Sequence, residues 1–247
     1  MDILKNTKNF ILDTLFPINC LSCGKEDVWL CGDCQKNIEL LSFQKCPLCE
    51  KTITEKGMTC RNCKTDSSLD GLLVATHYKE SQLDKLIHLY KYKFIEDLHI
   101  PLGKLLVRII AQSSLPLPDM LVPVPLHPRR LRWRGFNQSA LLAEYVGKNL
   151  TTGFEIPNHP NLLQRKRYTP PQMKIKKYAQ RIANLQQAFS LRKTAATDMP
   201  NSLQGKTILL VDDVATTGTT LFECAKVLKA GGAKKVFAVV IARQEIE

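Results

Sequence analysis

The chain predicts an α/β domain, with a mostly parallel sheet covered by helices on both faces, behind a small metal-stabilised module. Three observations predict it. From Leu69 onward, apolar runs of strand length alternate with amphipathic helical segments. Eight of the nine cysteines form four Cys-x-x-Cys pairs between Cys20 and Cys63. The apolar run Ile208–Val211 leads into Asp212, Asp213 and a loop of threonines around Gly218, and a helical pattern follows.

The elements follow in order. Ile3, Leu4, Phe10, Ile11 and Leu15 suit one face of a short N-terminal helix. The same stretch carries Asp2 and Asp13 and no continuous apolar run, so it is a poor export signal. Leu69–Lys79 alternates as a strand does. Gln82–Tyr90 and Leu98–Gln112 carry helical periodicity. A turn at Leu117-Pro118 precedes a strand at Met120–Val124. A helix over Asn137–Leu150 places Ala140, Leu141, Tyr145 and Val146 on one face. A short strand at Asn161–Gln164 leads into a polar basic loop. Lys177–Gln187 is helical, with Ile182 and Leu185 inward. After the strand at Ile208–Val211 come a helix at Thr219–Ala230, closed by Gly231-Gly232, and a strand at Val236–Ile241. Leu221, Cys224, Ala225 and Leu228 share one face of that last helix, which makes Cys224 a buried apolar residue. Strands that are apolar throughout belong in a parallel sheet buried on both faces. Residues 1–66 and 67–247 are the two expected domains.

The cysteine pairs are Cys20/Cys23, Cys31/Cys34, Cys46/Cys49 and Cys60/Cys63. Two residues between cysteines let both sulfurs of a tight knuckle reach one ion, and two knuckles complete a tetrahedral site. Eight ligands therefore imply two structural Zn²⁺ sites of four cysteines each, with no position left open for water. Sequential pairing is the simplest arrangement, and interleaved pairing also satisfies the spacing. About 50 residues without an apolar core need metal to fold. Such thiolates are expected in a reducing compartment, here the cytoplasm. No stretch is apolar for the roughly 20 residues that span a bilayer.

The segment from Ile208 to Leu221 carries the most functional information. A glycine-threonine loop at a helix N-terminus offers N–H groups, hydroxyls and a positive dipole to a phosphate. Asp212 and Asp213 beside it suit sugar hydroxyls or a metal ion. No lysine follows the glycine before Lys226, which excludes a P-loop, and one glycine cannot make a dinucleotide fingerprint. A phosphate beside a diol describes a phosphorylated sugar.

Charge points the same way. Of 35 Lys and Arg and 23 Asp and Glu, 14 bases and only two acids lie between His127 and Lys193. The rest of the chain is balanced, so the whole net charge of +12 sits in this segment, where it would draw polyanions. Arg129, Arg130, Arg132 and Arg134 form a basic loop after the strand at Met120, and guanidinium groups bind phosphate bidentately. The stretch Arg165-Lys-Arg-Tyr-Thr-Pro-Pro-Gln172, with Arg181 and Asn184, has the composition of a lid or of a plain surface loop. Lys91 and Lys93, with Tyr90 and Tyr92, either line the same cleft or face solvent. The five histidines form no triad or metal spacing.

These motifs occur in an order that resembles a known family. Asp-Asp-Val-Ala-Thr-Thr-Gly-Thr-Thr is similar to the phosphoribosyl pyrophosphate (PRPP) motif of type I phosphoribosyltransferases. With Pro123-Val-Pro-Leu-His-Pro, the following Arg-Gly-Phe-Asn-Gln138 and the N-terminal double zinc ribbon, the chain resembles the competence-associated ComF (ComFC) family along essentially its whole length. The resemblance implies that Asp212 and Asp213 hold the ribose hydroxyls, directly and through Mg²⁺-bound water. It implies that Thr216, Thr217, Gly218, Thr219 and Thr220 wrap the 5′-phosphate and that Arg129, Arg130 and Arg134 lie near the pyrophosphate. It further implies a role in natural transformation, with partners among DNA-uptake proteins at the inner face of the membrane. Type I enzymes usually carry a substrate-selecting hood at one terminus. Here the chain stops at Glu247, so a hood is expected from the zinc module or the helices after it.

Three functions are compatible with these features: a Mg²⁺-dependent phosphoribosyltransferase with an unassigned acceptor, a single-stranded DNA-binding uptake factor, and a PRPP-sensing regulator. For DNA, the basic segment offers Trp133, Phe136, Phe154, Tyr168, Tyr178 and Phe189 as stacking candidates.

Overall fold

In the computed structural model, residues 18–78, 81–113, 115–168, 187–192 and 203–244 are described. The expected N-terminal helix, residues 177–186 of the helix expected at Lys177–Gln187, and with them Arg181 and Asn184, lie outside them.

The N-terminal module opens with a short helix, α1 (Gly32–Lys36), and a two-stranded ribbon, β1 (Gln44–Lys45) with β2 (Ile53–Thr54). Next come β3 (Gly71–His77), α2 (Ser81–His88), a π-helical turn (Leu89–Lys93), α3 (His99–Gln112) and β4 (Met120–Pro123). Then follow α4 (Pro128–Arg134), α5 (Gln138–Asn149), β5 (Leu163–Arg165) and β6 (Phe189–Leu191). The chain closes with β7 (Thr207–Ala215), α6 (Thr219–Ala230) and β8 (Lys235–Arg243).

The main sheet has the order β3-β8-β7-β4, and every pairing in it is parallel. Its strands are buried on both faces because their side chains alternate between two cores. Leu73, Leu209, Val211, Phe237, Val239 and Ile241 face one core, while Leu72, Ile208, Leu210, Val236, Ala238 and Val240 face the other. The first core is closed by Leu102, Leu105, Leu106 and Ile109 of α3 and Leu142, Ala143 and Val146 of α5. Each such leucine contributes about 1.5–3 kcal/mol by leaving water. The second core is closed by Leu221, Cys224, Ala225 and Leu228 of α6 and by the β5–β6 hairpin. Gly103 brings α3 against α5, where a β-carbon would fall 2.5 Å from the Tyr145 ring.

Four expectations are corrected. β7 runs on through Asp212 and Asp213 to Ala215, because β8 is equally long and pairs with it as far as Arg243. The arginine segment after β4 is a helix, started by Pro128 at its first turn and by the His127 side chain, which accepts from Arg129 N–H at 3.2 Å. On α5 the buried face is Ser139, Leu142, Ala143 and Val146, while Ala140 and Leu141 are half-buried. Helicity after α2 ends in a π-helical turn rather than at Tyr90.

The cysteine module is built onto the edge strand β3. Gln44 is buried, and its side chain donates to Val74 O at 3.0 Å and accepts from Val74 N–H at 2.9 Å, as a neighbouring strand would. Gln35 donates to Pro101 O at 2.7 Å, and Arg108 donates to Gln35 O at 2.9 Å. These bonds fasten α1 to α3.

Candidate functional site

The site lies where open α/β sheets hold their ligands, beyond the carboxyl ends of the strands. A single cleft there is lined by the ends of β4 and β7, the loop before α6, α4, the start of α5, the π-helical turn and Arg165.

The two acids differ in their surroundings. Asp212 Oδ1 accepts from Ser139 Oγ at 2.7 Å and from Asp213 N–H at 2.9 Å. Burial, and then the neighbouring Asp213 carboxylate, push its pKa up to about 7, against the opposing pull of Ser139 and Lys91. Asp213 is 7 % exposed and pairs with Lys91 Nζ at 3.1 Å. Its Oδ1 also accepts from Val214 N–H at 2.6 Å. Lys91 reaches the acids because the π-helical turn carries the chain back over the cleft. Tyr90 anchors that turn, fully buried, by donating its hydroxyl to Gln138 O at 2.8 Å.

The threonine loop divides its roles. Thr216, Gly218 and Thr220 line the cleft. Thr217 and Thr219 are buried, and their hydroxyls bond to each other at 2.7 Å, so these two shape the loop from within. Gly218 takes φ +74° as the residue before α6, a conformation that suits glycine. The loop thus caps a 12-residue helix, whose dipole and first N–H groups favour an anion.

The opposite wall is basic. Arg130 and Arg134 of α4 and Arg165 at the end of β5 all face the cleft. Arg134 donates to Gln138 Oε1 at 2.9 Å. Arg165 is 8 % exposed, with its guanidinium 5.3 Å from the Phe189 ring centroid. Burial, followed by repulsion from Arg130, lowers its pKa to about 10. Burial and the same arginines also lower His127 below the ordinary histidine value. Positive charge gathered this closely would be relieved by an anion. Arg129 is exposed, outside the cleft lining, with its guanidinium 5.1 Å from the Tyr168 ring centroid.

Spacing singled out the acids, the loop and Arg130 and Arg134, and the fold brings them together. It adds Ser139, Gln138, Tyr78 and Lys91 to the lining. Gln138 and Ser139 end the stretch that carries the arginines, Tyr78 carried no sign in the sequence, and Lys91 stood among residues that could equally have faced solvent.

The cysteines form two separate sets of four, Cys20/Cys23/Cys31/Cys34 and Cys46/Cys49/Cys60/Cys63, each with its sulfurs within 4.8 Å of one another. Sequential pairing is therefore the observed one. A tetrahedral zinc site with bonds of about 2.3 Å places its sulfurs about 3.8 Å apart. Cys23–Cys31 at 3.6 Å and Cys49–Cys60 at 4.0 Å match this. Backbone N–H groups donate to Cys20 and Cys46 sulfurs at 3.4 Å, and those of Thr52 and Lys51 pull the Cys49 thiol down to about 6. Four cysteine sulfurs gathered at this spacing suit a tetrahedral zinc ion at each site.

Among the described residues no helix is long and apolar enough to cross a membrane.

Comparison with known proteins agrees with this geometry. Residues 11–64 match the double zinc ribbon domain and residues 164–247 the phosphoribosyl transferase domain. Competence protein F of Haemophilus influenzae is 33% identical over 92% of this chain and 98% of its own length. DNA utilization protein YhgH of Salmonella typhi is 29% identical over 84% of this chain and 93% of its own. Competence protein ComFC of Bacillus subtilis is 28% identical over 89% of this chain and 86% of its own. With its two four-cysteine sites, parallel sheet and matched relatives, the chain belongs to the competence protein F (ComF) family of double-zinc-ribbon, phosphoribosyltransferase-fold proteins.

Proposed function

We propose that the cleft binds PRPP with Mg²⁺ and that the protein transfers, or senses, this phosphoribosyl donor. One observation carries the reading. An acid pair, a helix-capping threonine loop and three arginines share one cleft, which suits a diol between two anionic groups. In this reading the loop at Thr216–Thr220 takes the 5′-phosphate, and Asp212 and Asp213 take the ribose hydroxyls. Arg130, Arg134 and Arg165 take the pyrophosphate.

The donor set suits a hard cation, because two adjacent carboxylates repel each other strongly enough to help raise Asp212 to about 7. When bound, Mg²⁺ would neutralise pyrophosphate charge as the bond to the anomeric carbon breaks. The chain's own contribution is to orient the sugar between loop and acids and to hold the leaving group in a positive field. Ser139 and Lys91 keep the two carboxylates in place. Titrating PRPP calorimetrically with and without Mg²⁺ tests this. Binding should require Mg²⁺ and be lost in Asp212→Asn/Asp213→Asn. A wild-type protein that ignores PRPP in the presence of Mg²⁺ overturns the reading. Pyrophosphate release in the presence of candidate acceptors then separates a transferase from a sensor.

A second reading, single-stranded DNA binding, is favoured by the outer face of α4. There Arg129, Arg132 and Trp133 are exposed, and Tyr168 lies within reach of Arg129 and Arg130. The names of the relatives, in competence and DNA utilization, point the same way. Such binding should weaken steeply between low and physiological salt, whereas PRPP held by loop, acids and Mg²⁺ should be far less sensitive. On either reading the protein would act in the cytoplasm beside the DNA-uptake machinery.

A further inference from the structure

The two knuckles that open the zinc sites share a backbone conformation and differ at the turn. In the first, Gly24 takes φ +78° and its N–H donates to Cys20 O at 2.9 Å. In the second, Glu50 takes φ +56° and donates to Cys46 O at 3.0 Å. Glycine adopts this left-handed turn freely, but a residue with a β-carbon is disfavoured there. A glutamate in such a position suggests that its side chain has a task.

That side chain meets Arg243. Glu50 Oε1 accepts from Arg243 Nη2 at 2.6 Å, and Pro47 O, inside the same knuckle, accepts from it at 3.1 Å. The guanidinium also reaches the threonine loop, with Nε donating to Thr216 O at 3.2 Å and Nη2 to Thr217 O at 3.4 Å. The Arg243 side chain is 11% exposed. It sits at the end of β8, in register with Ala215 of β7, directly beneath the loop. A trans peptide points its C=O and N–H in opposite directions. Holding the carbonyls of Thr216 and Thr217 therefore turns the N–H groups of Thr217 and Gly218 away from Arg243, as an anion on the loop's other side requires.

Resting on the donor reading above, we propose that Arg243 is a positioning residue of the phosphate loop and that zinc at Cys46/Cys49/Cys60/Cys63 holds it in place. Occupancy of this zinc site and binding of the sugar 5′-phosphate then strengthen each other. Loss of the ion releases the knuckle that carries Pro47 O and Glu50, and Arg243 loses one of its two sides. The first zinc module provides an internal control, because its contacts run to Pro101 and Arg108 of α3. Coupling of this kind is reciprocal.

The test follows zinc release from the full chain, loaded with two zinc ions, to a zinc-selective chromogenic chelator. It is run in saturating Mg²⁺ with and without PRPP, beside PRPP calorimetry. PRPP should slow the release of one ion about tenfold and leave the other unchanged. Glu50→Gly keeps the left-handed turn and should keep both ions. In this variant only Pro47 O still joins the knuckle to Arg243, so PRPP should slow release by less than in wild type and PRPP affinity should fall. Arg243→Lys, with its different reach, should behave likewise. Wild type that binds PRPP yet releases both ions at unchanged rates overturns the coupling and leaves the donor reading standing. Glu50→Gly that protects its zinc as wild type does overturns the role of Glu50, and Arg243→Lys that does so overturns the Arg243 bridge. Wild type that does not bind PRPP overturns both readings.

Discussion

Ser139 Oγ donates to Asp212 Oδ1 at 2.7 Å and ties the first turn of α5 to the end of β7, 73 residues away in the chain. This bond opposes the burial and the Asp213 charge that raise Asp212 to about 7. Removing it should raise Asp212 further. In Ser139→Ala, the pH at which Mg²⁺-dependent PRPP binding is half-lost should shift upward relative to wild type, by about 1 pH unit, as loss of one hydrogen bond to a charged group implies. Calorimetric titrations across about pH 5–9 measure that midpoint.

Asp212 also makes stability pH-dependent. Its folded pKa lies above the usual carboxylate value, so the folded state binds more protons than the unfolded state between about pH 4 and pH 7. The stabilising contribution is present below that window and is lost as pH rises through about 7. Asp212→Asn removes the group and should be more stable than wild type at about pH 8 by on the order of 2 kcal/mol, screened by solvent at the cleft mouth. The difference should vanish near about pH 4, and Mg²⁺ should narrow it at the higher pH. Urea unfolding at the two pH values gives both numbers.

Lys91 and Asp213 are 16% and 10% exposed and lie 3.1 Å apart. Removing one member leaves the other buried and uncompensated. Lys91→Met should cost about 3 kcal/mol, and Lys91→Met/Asp213→Asn should recover most of it. Denaturant midpoints of the single and double variants form the cycle. Recovery in the double variant separates pairing from simple loss of packing.

The arginines should split into two classes. Arg165→Ala removes a buried guanidinium from the cleft wall and should weaken PRPP binding about 10- to 100-fold. Arg129→Ala alters an exposed residue stacked on Tyr168 and should leave PRPP binding within about twofold while reducing affinity for single-stranded DNA. Parallel calorimetry and fluorescence anisotropy decide this.

Zinc stoichiometry tests the pairing of knuckles. Cys20→Ser/Cys31→Ser alters two ligands of one site and should lose one zinc per chain, whereas Cys20→Ser/Cys46→Ser should lose two. Elemental analysis of the purified variants counts them.

The local part of this protein was legible in its residues. Cys-x-x-Cys spacing, the alternation of apolar strands with amphipathic helices, and the order acid-acid-threonine-glycine are covalent facts over a few positions. They determined the zinc ligands, the α/β class and the loop at Thr216–Thr220. The apolar pattern of α5 is one residue out of phase with the face the fold buries. Ser139 and Gln138 are buried there for the sake of the site, and hydrophobicity does not register polar groups buried by hydrogen bonding. The tertiary structure decided which distant residues meet. A parallel register between β7 and β8 sets Arg243 beside Ala215, a π-helical turn carries Lys91 to Asp213, and the β5–β6 hairpin delivers Arg165 to the arginines of α4. Sequence separations of 28, 122 and 31 residues lie between Arg243 and Ala215, Asp213 and Lys91, and Arg165 and Arg134. No periodicity spans such distances, because they are closed by chain topology and by burial of the two cores rather than by local conformation.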